Sequence, residues 1–195
     1  PYIRSATIPG SGANQIGLKR VTGFLSAAGA MVSEVNGISS LGIFPTMFAW
    51  YAPIGVDPLD PEFIIIQDIL DGFVKVTTDG GGSWRNDSLL TRLVTEDGKL
   101  EFRVQDGFSQ VTTIAFDPDC PQHIVVGTMQ AGVMATYDRG ATWGKIPGTE
   151  LIPYVSRFAF TGDKQMVVSS YGRGLWFFKN ECYQVPKQKK AGAKA

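Results

Sequence analysis

The sequence is poor in the residues that most chemistry needs. It holds one histidine and two cysteines among 195 residues. His123 with Cys120 and Cys182, the cysteines 62 positions apart, offers no zinc-ligand spacing, and no metal is expected. A serine–histidine–acid relay would have to use His123, which lies on an expected strand just after Pro121. Nothing in the sequence positions such a relay, so His123 reads as a structural residue. No apolar run approaches the ~20 residues that cross a bilayer as a helix. The stretch Pro1–Gly10 has no apolar h-region of the secretory type. Helical periodicity is missing throughout.

Net charge is also absent: 18 lysines and arginines face 18 acids, which gives no support to a nucleic-acid or membrane-surface role. The zero is a sum of unlike parts. Residues 1–33 carry only Arg4, Lys19 and Arg20; residues 34–185 carry 11 bases against 18 acids; Pro186–Ala195 adds four lysines. An acidic body stands between a basic lead and a lysine tail, and the tail reads as a solvated end. The 44% hydrophobic and 11% aromatic content, on a chain of this length, is enough for a packed core.

What is present is repetition. The segment from Val56 to Trp84 matches the segment from Phe116 to Trp143, pairing Asp57-Pro58 with Asp117-Pro118, Gly72 with Gly132 and Trp84 with Trp143. The offset is 60 before the turn and 59 after it. Such a period, made of short apolar runs and turns, marks a repeat architecture. Each copy contains Ser/Thr-x-Asp-x-Gly-x-Ser/Thr-Trp: Thr77, Asp79, Gly81, Ser83 and Trp84 in one, Thr136, Asp138, Gly140, Thr142 and Trp143 in the other. The spacing is that of a β-hairpin. Val74 and Val76, or Val133 and Ala135, alternate as a strand before the turn. The aspartate accepts from backbone N–H groups across the turn, the glycine supplies positive φ, and the tryptophan buries a large face that fixes register. These aspartates therefore read as structural, not catalytic.

The pattern resembles the Asp-box, or bacterial neuraminidase repeat, of β-propeller proteins such as sialidases, xyloglucanase-like glycosidases and sortilin-like propellers. The resemblance implies an all-β propeller in which each box joins the third and fourth strands of a blade. A degenerate copy lies upstream, Phe24 to Ser39, with Val35 in the aspartate place and Ser40 in the tryptophan place. A box-less copy follows, with Arg157–Phe160, Gln165–Ser170 and Tyr171–Phe178, whose Gly-Arg-Gly-Leu-Trp run resembles the end of a last blade.

The expected organisation is an irregular lead over 1–15, four blades over about 16–45, 46–95, 111–150 and 154–179, and a basic tail over 181–195. Strands are expected near 48–56, 63–67, 73–77 and 83–86, then near 112–116, 124–128, 133–136 and 143–145. Thr95–Gln110 reads as a longer connection with an extra hairpin around Glu96–Lys99. Propellers of this family commonly have more blades than this chain supplies, and a ring must close to remove its open edges. Three readings follow, in order of preference. The chain is the C-terminal part of a larger propeller, or it closes alone with residues 2–8 adding a fourth strand to the last blade, or it pairs with a second copy.

For function, the first expectation is a non-catalytic interaction or glycan-binding module, with a protein or glycan partner and no cofactor. Tyr171-Gly-Arg-Gly is not followed by Gly-Lys-Ser/Thr, so it is no phosphate loop. Arg173, Tyr171 and Trp176 are the candidate ligand-binding residues; Trp50, Tyr51 and Tyr154 could also stack on sugar rings, although alternation within strands favours core packing for most of these aromatics. Flanking glycines place Arg173 in a loop, where the structural alternative is a salt bridge to the neighbouring blade. The other reading is a glycoside hydrolase, or part of one. Such enzymes use paired carboxylates, and the available acids are Asp68, Asp71, Asp87, Glu96, Asp97, Glu101 and Asp106. Sialidases use an arginine trio, a tyrosine and a glutamate, but Tyr2-Ile-Arg4-Ser-Ala-Thr-Ile-Pro9 does not match their Tyr/Phe-Arg-Ile-Pro motif. No catalytic residue transfers by resemblance. The resemblance also favours an extracytoplasmic location, in which Cys120 and Cys182 could bridge neighbouring blades.

Overall fold

The computed structural model describes residues 2–5, 17–23, 25, 29–38, 53–69, 71–100, 110–161, 164–180 and 182. Short runs rich in isoleucine, valine, phenylalanine and threonine form strands, and Gly/Asp/Pro clusters separate them. They build four antiparallel sheets in chain order. Sheet 1 contains β1 (Tyr2–Ser5), β2 (Gly17–Thr22) and β3 (Met31–Val35). Sheet 2 contains β4 (Ile54–Val56), β5 (Ile64–Asp68), β6 (Phe73–Thr77) and β7 (Arg85–Asn86). Sheet 3 contains β8 (Val111–Phe116), β9 (Ile124–Thr128), β10 (Val133–Thr136) and β11 (Gly144–Lys145). Sheet 4 contains β12 (Val155–Thr161), β13 (Gln165–Ser170) and β14 (Gly174–Lys179). Each is a meander of sequential neighbours, as in consecutive propeller blades.

The sheets stack face to face. Ile65, Val74 and Val76 of sheet 2 share a core with Val111, Ile114, Val126 and Met134 of sheet 3. Val125, Val133 and Ala135 on the other face of sheet 3 meet Val155, Met166 and Val168 of sheet 4. Sheets 2 and 3 are therefore covered on both faces, which is why β5, β9 and β10 are buried at every position rather than alternating. The first strands approach closely: a Cβ on Gly55 would stand 2.4 Å from Ile114 Cγ2, so only glycine fits there.

Buried side-chain hydrogen bonds tie neighbouring sheets together at one end. The Gln67 side-chain carbonyl accepts from the Val111 backbone N–H, and the Thr112 hydroxyl donates to the Val155 carbonyl.

Four expectations are corrected. A helix does occur, α1 (Ser88–Val94). Asp87 caps it by accepting from the Leu90 N–H at 2.9 Å, and Leu90 and Val94 are buried in the core shared by sheets 2 and 3. Seven residues are too few to show a periodicity. The hairpin around Glu96–Lys99 is instead the turn that closes this helix. Glu96, Asp97 and Gly98 take left-handed backbone, and the Asp97 N–H reaches back to the Arg92 carbonyl at 2.8 Å. The strand near residues 2–8 does not extend the last sheet; β1 pairs with β2, Tyr2 opposite Arg20 and Ser5 opposite Gly17. Finally, the second strand of the first sheet is Gly17–Thr22, ahead of the segment at Phe24 that the upstream alignment puts there. Phe24, Ser39, Ser40, Glu101, Asp106, Trp50 and Tyr51 lie outside the described residues.

Lys75 on β6 is buried, and its ammonium meets Asp68 Oδ2 at 2.9 Å, Asp71, and the Gly37 carbonyl of the first sheet's trailing segment at 3.1 Å. Burial pulls the Lys75 pKa down, but the hydrogen bonds and attraction of Asp68 and Asp71 outweigh it and raise the value above the ordinary 10.5. A raised lysine pKa stabilises the fold below the ordinary value and loses that contribution as pH climbs through the raised one. The pair's contribution should therefore be constant from neutral pH to about pH 10 and vanish above it. Lys75→Ala leaves Asp68 buried without its cation and should cost about 3–5 kcal/mol at pH 7 in urea titration. A cost below about 1 kcal/mol would place the pair among exposed ones.

Candidate functional site

The two box turns are nearly superimposable in their bonding. The Asp79 carboxylate accepts from the Ser83 N–H at 2.9 Å, the Thr77 hydroxyl at 2.6 Å and the Ser83 hydroxyl at 2.7 Å. Asp138 accepts from the Thr142 N–H at 2.8 Å, the Thr136 hydroxyl at 2.7 Å and the Thr142 hydroxyl at 2.6 Å. Thr77 and Thr136 in turn accept from the Gly81 and Gly140 N–H groups at 3.0 and 2.9 Å. The glycines have φ of 94° and 87°.

The tryptophan after each turn sits on the preceding sheet. Trp84 Nε1 donates to the Asn36 carbonyl at 2.9 Å, and Trp143 Nε1 donates to Asp87 Oδ2 at 3.0 Å. Threonine, aspartate, glycine and tryptophan thus have assigned bonding roles in holding hairpin and neighbour together.

This bonding lowers both aspartate pKa values. For Asp79 the Thr77 and Ser83 hydroxyl bonds dominate; for Asp138 the Thr142 hydroxyl bond does. A depressed carboxylate stabilises above its ordinary pKa and loses that contribution as pH falls through the folded value. Asp79 should remain ionised at about pH 3, where an ordinary aspartate is mostly protonated, and Asp138 should titrate below the ordinary range. Carboxyl carbon-13 shifts against pH would show it; a normal midpoint near ~3.9 at Asp79 contradicts the bonding.

A second constellation was not legible as such in the sequence. The aspartates of the two Asp-Pro pairs each bind the next sheet. Asp57, buried, accepts from the Leu59 N–H at 2.9 Å and from Arg139 at 2.9 Å, and Arg139 also bonds Asp60 at 2.7 Å while lying 4.7 Å above the Phe63 ring. Asp117, 1% exposed, accepts from the Asp119 N–H at 3.0 Å and from the Asn180 amide, and its Oδ2 lies 3.0 Å from His123 Nδ1. The His123 ring stacks on Tyr137 at 4.6 Å and meets Phe160 of sheet 4 edge-on at 5.7 Å. The Cys120–Cys182 disulfide closes the same corner, with Cα atoms 6.4 Å apart, joining the β8–β9 loop to the segment after β14. The signal was present as a repeated Asp-Pro at the 60-residue offset.

At the opposite end of the sheets, where second and third strands turn, Tyr154, Tyr171 and Arg173 come together. The Tyr171 N–H donates to the Tyr154 carbonyl at 3.0 Å, and the turn to Arg173 closes by its N–H bond to Ser170 at 3.4 Å. Tyr171 is 68% exposed, Tyr154 is 40% exposed, and Arg173 is exposed. Both tyrosines stand in connections rather than alternating within strands, which corrects the core-packing expectation for them. No ion pair reaches Arg173 among the described residues, so the expected salt bridge to the neighbouring blade is not present there. Trp176 lies within β14, part-buried beside Phe158 and Phe160, and its Nε1 donates to the Arg173 carbonyl at 3.2 Å.

Five of the seven acids considered for catalysis lie among the described residues, and each of the five has a structural partner. Asp68 and Asp71 hold Lys75, Asp87 caps α1 and takes Trp143, Glu96 meets Lys145 at 2.9 Å, and Asp97 meets Arg92 at 2.7 Å. Among the described residues no group of three or more histidine, cysteine, aspartate or glutamate side chains is placed to hold a metal ion.

No family model matches the sequence, and no curated protein matches it. Solved structures do share its architecture. The GH74 xyloglucanase from Xanthomonas campestris superposes with a TM-score of 0.63 at 16% identity, over 92% of this chain and 27% of that one. The GH74 enzyme from Niastella koreensis gives 0.52 at 16% identity, over 86% of this chain and 27% of that one. The likeness is one of fold: this chain has the architecture of part of a β-propeller and spans about a quarter of the length of those enzymes. Its function has to come from its own residues.

Proposed function

We propose that the chain is a non-catalytic portion of an Asp-box β-propeller that binds a glycan at the sheet end carrying Tyr154, Tyr171 and Arg173. The observation that carries this reading is the pair of exposed tyrosines beside an exposed guanidinium, on a backbone fixed by the Tyr171–Tyr154 bond. Exposed aromatic faces stack on sugar rings, and a guanidinium donates to ring hydroxyls. The xyloglucanase likeness suggests a branched β-glucan as the first ligand to try.

Calorimetric titration with soluble xyloglucan oligosaccharides tests it. Tyr171→Ala should weaken binding about tenfold, a change of ~1.4 kcal/mol; equal binding by the variant, or no binding by the parent chain, overturns it.

The larger ring is supported by the outer face of sheet 4. Leu175 and Phe177, 65% and 66% exposed, sit on β14 where β10 has Val133 and Ala135, and those two are buried by sheet 4. A further sheet covering them fits the reading of four blades belonging to a larger propeller. The disulfide and the fold family support an oxidising, extracytoplasmic setting.

The second reading, part of a glycoside hydrolase, is favoured by the GH74 likeness, in which most of each enzyme's length has no counterpart here. Release of reducing sugar by this chain alone would select it.

A further inference from the structure

The chain has four asparagines, and only Asn36 precedes a glycine. The pair follows β3, and both residues are exposed. Its backbone is a joint between sheets 1 and 2: the Asn36 carbonyl accepts from Trp84 Nε1 at 2.9 Å, and the Gly37 carbonyl accepts from the Lys75 ammonium at 3.1 Å. The groups left over are the two that react with one another. Among the described residues the Asn36 side-chain amide has no hydrogen-bond partner, and the Gly37 N–H has no acceptor. Glycine has no side chain to shield that nitrogen, and the place resists one: φ is 80°, and a Cβ would stand 2.9 Å from Trp84 Cδ1.

We propose that Asn36 is a site of spontaneous modification, losing its side-chain amide to form an aspartate or isoaspartate linkage at the seat of Trp84. The Gly37 nitrogen bonds to the Asn36 side-chain carbonyl carbon, the carbon–nitrogen bond of the amide breaks, and ammonia leaves with the Gly37 proton. The five-membered imide then adds one water. Opening at the side-chain carbonyl gives aspartate. Opening at the main-chain carbonyl gives isoaspartate, whose main chain is one carbon longer and whose former backbone carbonyl is a free carboxylate. Water enters and ammonia leaves, and nothing is oxidised or reduced. Ring closure swings the Asn36 carbonyl, which Trp84 holds, so conversion needs a local opening between sheets 1 and 2. The product brings a negative charge near Lys75, which already holds Asp68 and Asp71, and isoaspartate sets the two acceptor groups further apart along the chain. The joint therefore does not re-form as it was. The tyrosine end belongs to sheet 4, so this proposal stands apart from glycan binding.

The test incubates the full chain, disulfide intact, at mildly alkaline pH and maps its peptides by mass and by enzymatic methylation of isoaspartate. Product should accumulate at position 36 and be missing from Asn36→Gln, whose longer side chain closes a ring far more slowly. Trp84→Phe keeps an aromatic ring but removes the N–H, and should speed conversion about fivefold, as the loss of one net hydrogen bond predicts. The parent chain unfolded in urea should convert faster than the native chain, a measure of the same gate that needs no variant. Converted chain should exchange its β2 and β3 amides faster while β13 and β14 are unchanged. The proposal fails if the native chain forms no product at position 36 while the unfolded chain is largely converted. It also fails if native and unfolded chains convert at one rate, if Trp84→Phe converts no faster, or if conversion leaves β2 and β3 exchange unchanged.

Discussion

Asp117→Ala is expected to lower the unfolding free energy by about 3–5 kcal/mol, among the largest effects of any single substitution here. The carboxylate is 1% exposed and accepts from the Asp119 N–H and the Asn180 amide while facing His123 Nδ1. Alanine leaves these groups without their acceptor, and each buried polar group that loses a partner costs ~1–3 kcal/mol. The damage extends past one sheet, because Asn180 follows β14 whereas Asp117 and His123 flank β8 and β9.

Asp57→Ala supplies the comparison. Asp57 occupies the matching Asp-Pro position and is equally buried, but its partner Arg139 is 31% exposed and keeps Asp60 as a second acceptor. Its loss should cost about 1–2 kcal/mol less than that of Asp117. Urea titration reads both as shifts in midpoint at unchanged slope. Equal costs would mean that the sheet 3–sheet 4 corner is no tighter than its predecessor.

Much of the strand pattern was legible because the repeat samples the same physics twice. The run Phe-Ile-Ile-Ile-Gln from Phe63 and the run His-Ile-Val-Val-Gly from His123 are both short, apolar and β-branched, and they become β5 and β9. The box turns were legible because their bonding is local: donor and acceptor are two to four residues apart. What the sequence hid is non-local or short. Asp57 and Arg139 are 82 positions apart, and Asp117 and Asn180 are 63 apart; neither pairing has a local spacing to betray it. Helix α1 is two turns long, and nothing in the sequence around its cap, Asp87, marks the bonds that its two oxygens accept from Leu90 and Trp143. The tyrosines were misplaced because alternation treats every aromatic near a strand as part of it. Tyr154, with φ of 52°, is instead a turn residue.

Removing the disulfide with Cys120→Ser and Cys182→Ser together should cost about 4 kcal/mol, from the chain entropy released when a loop spanning 62 positions opens in the unfolded state. The native contacts around it should survive, since Asn180 still reaches Asp117 and the Phe158–Phe160–Trp176 layer still covers sheet 3. Stability should be lost unevenly, because the crosslink ties the segment after β14 to the β8–β9 loop and touches nothing in sheet 2. Amide exchange is expected to quicken first in β13 and β14, through partial opening of sheet 4, while β5 and β6 open only with the whole molecule. Combining the double serine variant with Asp117→Ala should cost close to the sum of the two, because the crosslink acts on the unfolded chain and the carboxylate on the folded corner. Strict additivity would show that the crosslink acts only on the unfolded chain. A uniform rise in exchange across all four sheets would show that sheet 4 is not a separable unit.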